Sequence, residues 1–317
     1  MINTELKIAV LTGGIGDERD ISLQSGQCVS DALGKAGFEV VTVDINPDKL
    51  DILSDTSIDV FFIAIHGQFG EDGQLQQILE DKSLLYTGSG PQASRLAFDK
   101  LVSKKLFAKV GAAVPGGIEF NDKTDTQQLE KQLRNFADKY VIKPVKQGSS
   151  VGISIVSSPK DAVAAAKETF SRYGDCMIEE FIPGREVTVG ILCDRPLPVI
   201  EIKPQSSFYD YNAKYIDDKT QYLLDTITDP DIIDKLNKAA LNCFNALGCR
   251  HFARVDFILD GNGTAHVLEI NTIPGFTKHS LLPKAAEKIG LPMSRLCTRI
   301  VDAAYSSLVN HPTQNKI

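Results

Sequence analysis

The chain is predicted to be an α/β protein, α+β in its later parts, and three observations predict it. First, the N-terminal third alternates strand, helix, strand and strand at a spacing that requires crossover connections and a parallel sheet. Second, Arg254–Gly275, RVDFILDGNGTAHVLEINTIPG, reads as an antiparallel hairpin, with β-branched and aromatic runs on either side of Gly261-Asn262-Gly263. Third, 317 residues are too many for one small core, so two or three domains are expected.

In chain order, Lys7–Gly14 (KIAVLTGG) is a buried strand ending in a glycine turn. Ile21–Lys35 reads as a helix with Ser22 near its start and Gly37 just past its end. Glu39–Ile45 and the apolar Val60–His66 are the second and third strands. Ligands to such sheets gather beyond the carboxyl ends of the strands. Two loops fall there, Gly13–Asp20 (GGIGDERD) and His66–Gln76 (HGQFGEDGQLQ). The first lacks GxGxxG spacing, and Asp17-Glu18 would repel a pyrophosphate, which excludes a dinucleotide fingerprint. Thr87–Gly90 (TGSG) is a flexible join.

Ala93–Val110 is predicted as a single basic amphipathic helix carrying Lys100, Lys104 and Lys105. Strand Tyr140–Val145 encloses Lys143, which needs a buried partner. The small-residue loop Gln147–Gly152 (QGSSVG) exposes N–H groups and hydroxyls, as a phosphate cradle or an empty hairpin turn would. Strand Ile153–Ser157, helix Pro159–Tyr173 and strand Cys176–Ile182 follow. The last holds Glu179-Glu180 and reads either as a nucleoside-binding hinge or as a charged turn. Glu186–Cys193 and Leu197–Lys203 are further strands. Gln205–Tyr222 is polar and tyrosine-rich, so it is expected to be an ordered loop over a site. Asp229–Leu247 is an amphipathic helix, and Ser280–Ile289 and Pro292–Leu308 close the chain.

In the hairpin, residues two apart share a face, so Arg254 lies beside Asp256 and Glu269 beside Asn271. Folding about Asn262 brings Asp256 near Glu269. Such an oxygen cluster suits Mg²⁺, which also holds substrate phosphates. A solvated hairpin bearing an ion pair is the competing reading of these residues alone.

Composition limits the partners. Hydrophobic residues make up 43% and charged residues 24%, ordinary for a soluble domain. A net charge of −7 argues against nucleic-acid binding. No apolar run is long enough to cross a bilayer, and the N-terminus lacks the basic region of a signal peptide. Cys28, Cys176, Cys193, Cys243, Cys249 and Cys297 are scattered without a CxxC pair, as thiols of a reducing cytoplasm are.

Taken together, the motifs carry a resemblance. HGxxGEDGxxQ (His66–Gln76), YTGSG (Tyr86–Gly90), DK (Asp99-Lys100), IKP…GSSVG (Ile142–Gly152), GREVTV (Gly184–Val189), FYDYNAKY (Phe208–Tyr215), RVDF (Arg254–Phe257), LEINTIPG (Leu268–Gly275) and HSL (His279–Leu281) stand in one order across almost the whole chain. The chain resembles the D-alanine–D-alanine ligase family of the ATP-grasp superfamily. The resemblance implies three lobes: an N-terminal parallel α/β lobe (1–90), a central α+β lobe (91–178), and a C-terminal α+β lobe with an antiparallel sheet (179–317). The last would carry a lid loop (205–222) and the metal site.

The resemblance also implies an ADP-forming ligation of two D-alanines through an acyl phosphate, for peptidoglycan precursor synthesis. ATP would be held by Lys100, Lys143, the loop Gly148, Ser149 and Ser150, the hinge Glu179, Glu180, Phe181 and Ile182, and the ribose carboxylate Glu186. Asp256, Glu269 and Asn271 would hold two Mg²⁺ or Mn²⁺ ions. Glu18, Ser149 and Tyr215 would form a hydrogen-bonded catalytic set with Arg254 as oxyanion donor. His66, Lys214, Gly275, Ser280 and Leu281 would contact D-alanine. Members are usually homodimers, and no nucleic acid or membrane is implied. Gly16 and Asp20-Ile21 depart mildly from the family pattern, and Glu180 stands where some members have lysine. Tyr215 favours an amine as second nucleophile. Two other function classes stay open: a ligase for a different amino-acid pair, and a nucleotide-binding protein without catalysis.

Overall fold

A computed structural model describes residues 4–204 and 220–310. The first sheet has the parallel order β2-β1-β3, from β1 (Lys7–Gly13), β2 (Glu39–Ile45) and β3 (Val60–Ile63). Helix α1 (Arg19–Lys35) crosses between the first two, and α2 (Gln74–Asp81) packs on the opposite face. Strand β3 stops three residues before the expected His66, although the chain between stays buried.

The central sheet is antiparallel, β4-β7-β5-β6, from β4 (Gly117–Phe120), β5 (Tyr140–Pro144), β6 (Ser154–Val156) and β7 (Cys176–Glu180). Helices α5 (Thr126–Leu133) and α6 (Pro159–Tyr173) cover one face. Alternation along β5 sends Tyr140 and Ile142 into that core and Val141 and Lys143 to the open face.

The third sheet runs β11-β10-β8-β12-β13, with the short β9 (Arg195–Pro196) on β8. Its strands are β8 (Gly184–Leu192), β10 (Ile200–Lys203), β11 (Gln221–Leu224), β12 (Phe252–Asp260) and β13 (Ala265–Asn271). One face buries Val187, Val189, Val255, Phe257, Val267 and Ile270 against α3 (Pro91–Phe98), α4 (Lys100–Lys109) and α7 (Pro230–Leu247). The other face carries the polar residues of β12 and β13. The register shifts between Asp256, opposite Glu269, and Phe257, opposite Val267. Leu268 is therefore a bulge. Val267 and Ile270, three apart, can then both face the core while Glu269 turns to the opposite side.

Three sequence expectations need correction. The single helix expected over Ala93–Val110 is two helices broken at Asp99, whose extended backbone lets its carboxylate cap α4 through the Val102 N–H at 3.1 Å. The division expected at residue 178 falls inside β7. The division at 90 also departs from the packing, because Ala93, Ala97 and Phe107 belong to the core of the third sheet. The C-terminal helices α8 (Leu281–Lys288) and α9 (Met293–Asn310) fold back, with Leu296 and Ile300 in one core with Val29 and Leu33 of α1. Among the described residues no helix is long and apolar enough to cross a membrane.

The Thr87–Gly90 join is fixed rather than loose. Gly88 donates its N–H to His251 Nδ1 at 3.1 Å, and Arg250 Nε–H reaches Gly88 O at 2.9 Å. Burial, reinforced by Arg250, pushes His251 down from 6.5 to about 3. Its folded pKa lies below the unfolded value, so its contribution to stability is whole above about pH 6.5 and is lost as pH falls towards 3. Through this group the protein should lose up to about 1.4 kcal/mol per pH unit in that window. His251→Gln should flatten the urea-stability slope between pH 6.5 and 4; an unchanged slope would refute the assignment.

Candidate active site

The cleft wall begins with the β12–β13 pair. Arg254 sits opposite Asn271 and Asp256 opposite Glu269, with all four side chains on the open face. Asp256 is buried and fully engaged: Arg254 Nε and Nη2 donate to its two oxygens at 2.9 and 2.8 Å, and Thr188 Oγ1 donates at 2.6 Å. Glu269 pairs with Lys100 Nζ at 3.1 Å. Asn271 Oδ1 accepts the Ile273 N–H at 3.0 Å. The donors are two carboxylates and an amide oxygen on neighbouring positions, without nitrogen or sulfur, and this set fits a hard divalent cation. No group of three or more His, Cys, Asp or Glu gathers as a metal site among the described residues, so a cation held here would need phosphate or water oxygens to complete its shell.

Below this wall lies a cavity of about 400 Å³ between the central and third sheets, lined by Lys100, Lys143, Ser150, Glu179–Ile182, Glu186, Asp256 and Glu269. Lys143 finds the partner its buried position demands: Nζ lies 2.8 Å from Glu179 Oε2. Lys104 contacts the other oxygen at 2.5 Å. Burial pushes Lys104 well below the ordinary lysine value, with Lys143 adding to the shift and Glu179 opposing it. Burial alone would raise Glu179, yet the two ammonium groups hold it below the usual carboxylate value. Lys100 Nζ also donates to Gln147 O at 2.6 Å, tying the root of the small-residue loop to Glu269 on β13. In that loop Ser149 and Ser150 both have positive φ, 52° and 60°. At the hinge, Glu180 accepts the Gly116 N–H at 2.7 Å, its own N–H reaches Gly116 O, and the Phe181 N–H reaches Lys139 O. Of the 179–182 hinge expected to hold the nucleotide, the N–H groups of Glu180 and Phe181 already have backbone partners.

A second cavity of about 70 Å³ adjoins the first, lined by Glu18, Glu71, Lys100, Gln147, Gly148, Ser149, Arg254, Glu269, Asn271, Gly275, Ser280 and Leu281. Ser149 Oγ donates to Glu18. The Glu18 carboxylate fits only because Gly67 (φ +70°) lacks a side chain: a Cβ there would lie 2.3 Å from Oε2. A Cβ on Gly275 would sit 2.6 Å from Ser280 Oγ, so any other residue would push that hydroxyl from its place. Ser280 is the N-cap of α8 and accepts the Thr277 N–H at 2.9 Å. His66 is buried behind this cavity and contacts Ile273 O and Ser25. Lys214 and Tyr215, with most of the expected lid, lie outside the described residues.

The model of the family described as "D-ala D-ala ligase C-terminus" matches residues 106–302. The D-alanine–D-alanine ligase of Syntrophotalea carbinolica is 42% identical over 298 residues, which are 94% of this chain and 96% of that protein. The chain belongs to the D-alanine–D-alanine ligase family. The ligase of Methylacidiphilum infernorum is likewise 42% identical over 298 residues, 94% of this chain and 95% of its own. Among solved structures, the Bacillus anthracis D-alanine–D-alanine ligase complexed with ATP has a TM-score of 0.84 at 30% identity, covering 96% of this chain and 99% of that one. The three-lobed ATP-grasp fold is thus that of the family.

Three residues at this ligase-family cleft escape sequence reasoning. Lys104 was visible as i+4 from Lys100, with Phe107 completing an i, i+4, i+7 stripe, but nothing local says that this stripe is the buried one. Glu71, pushed up to about 7 by burial and by Glu18 against an opposing hydrogen bond from His66, left no signal beyond its motif. Thr188 required the β8–β12 register. The charge trio makes a prediction. Glu179→Gln leaves two facing buried ammonium groups and should cost about 3 kcal/mol or more in urea unfolding. Lys104→Met leaves the Lys143–Glu179 pair intact and should cost clearly less. Equal losses would contradict the pairing.

Proposed function

We propose that this chain joins two D-alanines into D-alanyl-D-alanine with cleavage of ATP to ADP, through an acyl phosphate, as a step in peptidoglycan precursor synthesis. The observation that carries the reading is that the two cavities meet at Lys100, Gln147 and Glu269. A nucleotide in the larger cavity would present its terminal phosphate there, facing an amino acid in the smaller one.

Adenine lies at the hinge, read by Ile182 and by carbonyl groups, while Glu186 takes ribose hydroxyls. The phosphates extend over Lys143, the left-handed Ser149-Ser150 turn and Lys100. Asp256, Glu269 and Asn271 would hold two Mg²⁺ or Mn²⁺ ions, which would supply neutralisation of the phosphate charge. Glu18, held by Ser149, takes the ammonium of the first D-alanine and aims its carboxylate at the γ-phosphorus. That oxygen bonds to phosphorus as the bond to the ADP oxygen breaks. Nε–H and one Nη2–H of Arg254 are held on Asp256, which orients the guanidinium so that its remaining N–H groups face the reacting carbonyl. The second D-alanine places its carboxylate at the N-terminus of α8, on Ser280 and Leu281. Its amine loses a proton and attacks the acyl carbon, and the Gly275 N–H with Arg254 stabilises the oxyanion until phosphate leaves.

An acyl phosphate must be kept from water; that role is expected of Lys214 and Tyr215, which lie outside the described residues. We also propose a cytoplasmic homodimer that binds neither nucleic acid nor membrane. Family habit supports the dimer, and the net charge of −7 supports the lack of affinity for polyanions.

Coupled ADP release is expected with D-alanine and not with L-alanine, one dipeptide forming per ADP. Glu269→Ala should fold, yet lose at least about 100-fold in turnover. Release with L-alanine, or near-parental turnover of the variant, would sink the reading.

A further inference from the structure

The turn bearing Gly275 is held from behind by the N-terminal lobe. On α1, Ser22 and Ser25 are i and i+3 and share a face, and both are fully buried. Ser22 Oγ accepts the His66 backbone N–H at 2.9 Å and donates to Glu18 O at 3.0 Å. Ser25 Oγ lies 2.9 Å from His66 Nε2 and accepts the Phe276 N–H at 3.3 Å. His66 Nδ1 lies 2.9 Å from Ile273 O and, more distantly, 3.5 Å from Glu71 Oε1, both acceptors.

The proton positions follow from what each atom can do. A carbonyl only accepts, so His66 Nδ1 carries a proton. In the neutral ring Nε2 then accepts, and the Ser25 hydroxyl donates to it. A lone pair of the same hydroxyl takes the Phe276 N–H. One histidine and one serine thus hold the carbonyl at one end of Ile273-Pro274-Gly275-Phe276 and the amide at the other. With both ends fixed, the Gly275 peptide plane between them has little freedom to rotate.

We propose that Ser25, acting through His66 and the Phe276 N–H, is a positioning residue for the second chemical step, holding the Gly275 N–H where the oxyanion forms. This rests on the ligase reading above. Removing the hydroxyl leaves an imidazole nitrogen and an amide buried without partners, so the turn must shift to satisfy them. Acyl-phosphate formation does not need that N–H. Dipeptide formation does.

The experiment compares two rates in the full-length enzyme with ATP, Mg²⁺ and D-alanine. Positional exchange of oxygen-18 between the bridge and non-bridge positions of ATP reports reversible acyl-phosphate formation. Dipeptide release reports the whole reaction. Ser25→Ala should lower dipeptide release about 10- to 100-fold and exchange less than about threefold, with the ATP KM unchanged. Ser25→Cys keeps the serine's shape with a somewhat larger, weakly hydrogen-bonding atom, and it should behave alike; it decides the matter if Ser25→Ala does not fold. Dipeptide release within about twofold of the parent, or an equal fall in both rates, would overturn the proposal. A parent enzyme showing neither exchange nor dipeptide would overturn the ligase reading itself, and this inference with it.

Discussion

One extra residue in β13 decides where the charge of the cleft sits. Val267 and Ile270 belong to the same core, which a regular strand cannot arrange for residues three apart. The bulge at Leu268 reconciles them and turns Glu269 to the open face, opposite Asp256. Without it Glu269 would point at the helices, where an unpaired carboxylate is intolerable. The metal wall, the Lys100 contact and the meeting point of the two cavities all follow from that register.

Around this wall, the buried charges are paired. Asp256 carries Arg254, Glu269 carries Lys100, and Glu179 carries two lysines from different elements. Of these pairs, Lys104–Glu179 joins α4 to the central sheet and Lys100–Glu269 joins α4 to β13, whereas Arg254–Asp256 lies within β12 and Lys143–Glu179 within the central sheet. The cleft's lysines and Arg254 are already in place beside carboxylates, with Lys104 and Lys143 sharing Glu179. Binding phosphate or metal then exchanges partners instead of creating isolated charge, which keeps the reorganisation small.

Much of this was legible in the sequence where local pattern controls structure. Helix α6 begins and ends as expected, because Ser158 caps it and Gly174 stops it. The side-by-side placement of Arg254 with Asp256 and of Glu269 with Asn271 follows from strand period alone. Other features were illegible for physical reasons. The break at Asp99 depends on a cap and on the Lys100 N–H reaching Val145 O, a contact across 45 residues of chain. The placement of α3 and α4 with the third sheet is a matter of which core they fill, and amphipathicity gives a face but not its partner. Ser25 and Lys104 act through contacts more than 40 residues away in sequence. Such contacts leave no periodic trace.

The account stands or falls on phosphate and metal meeting at the β12–β13 wall. A crystal structure with ADP, Mn²⁺ and D-alanine, using the anomalous signal of manganese, tests this most directly. The account predicts manganese in contact with oxygens of Asp256, Glu269 and Asn271, and Lys100 Nζ turned from Glu269 towards phosphate. Nucleotide bound in the larger cavity with manganese absent from that wall would contradict it.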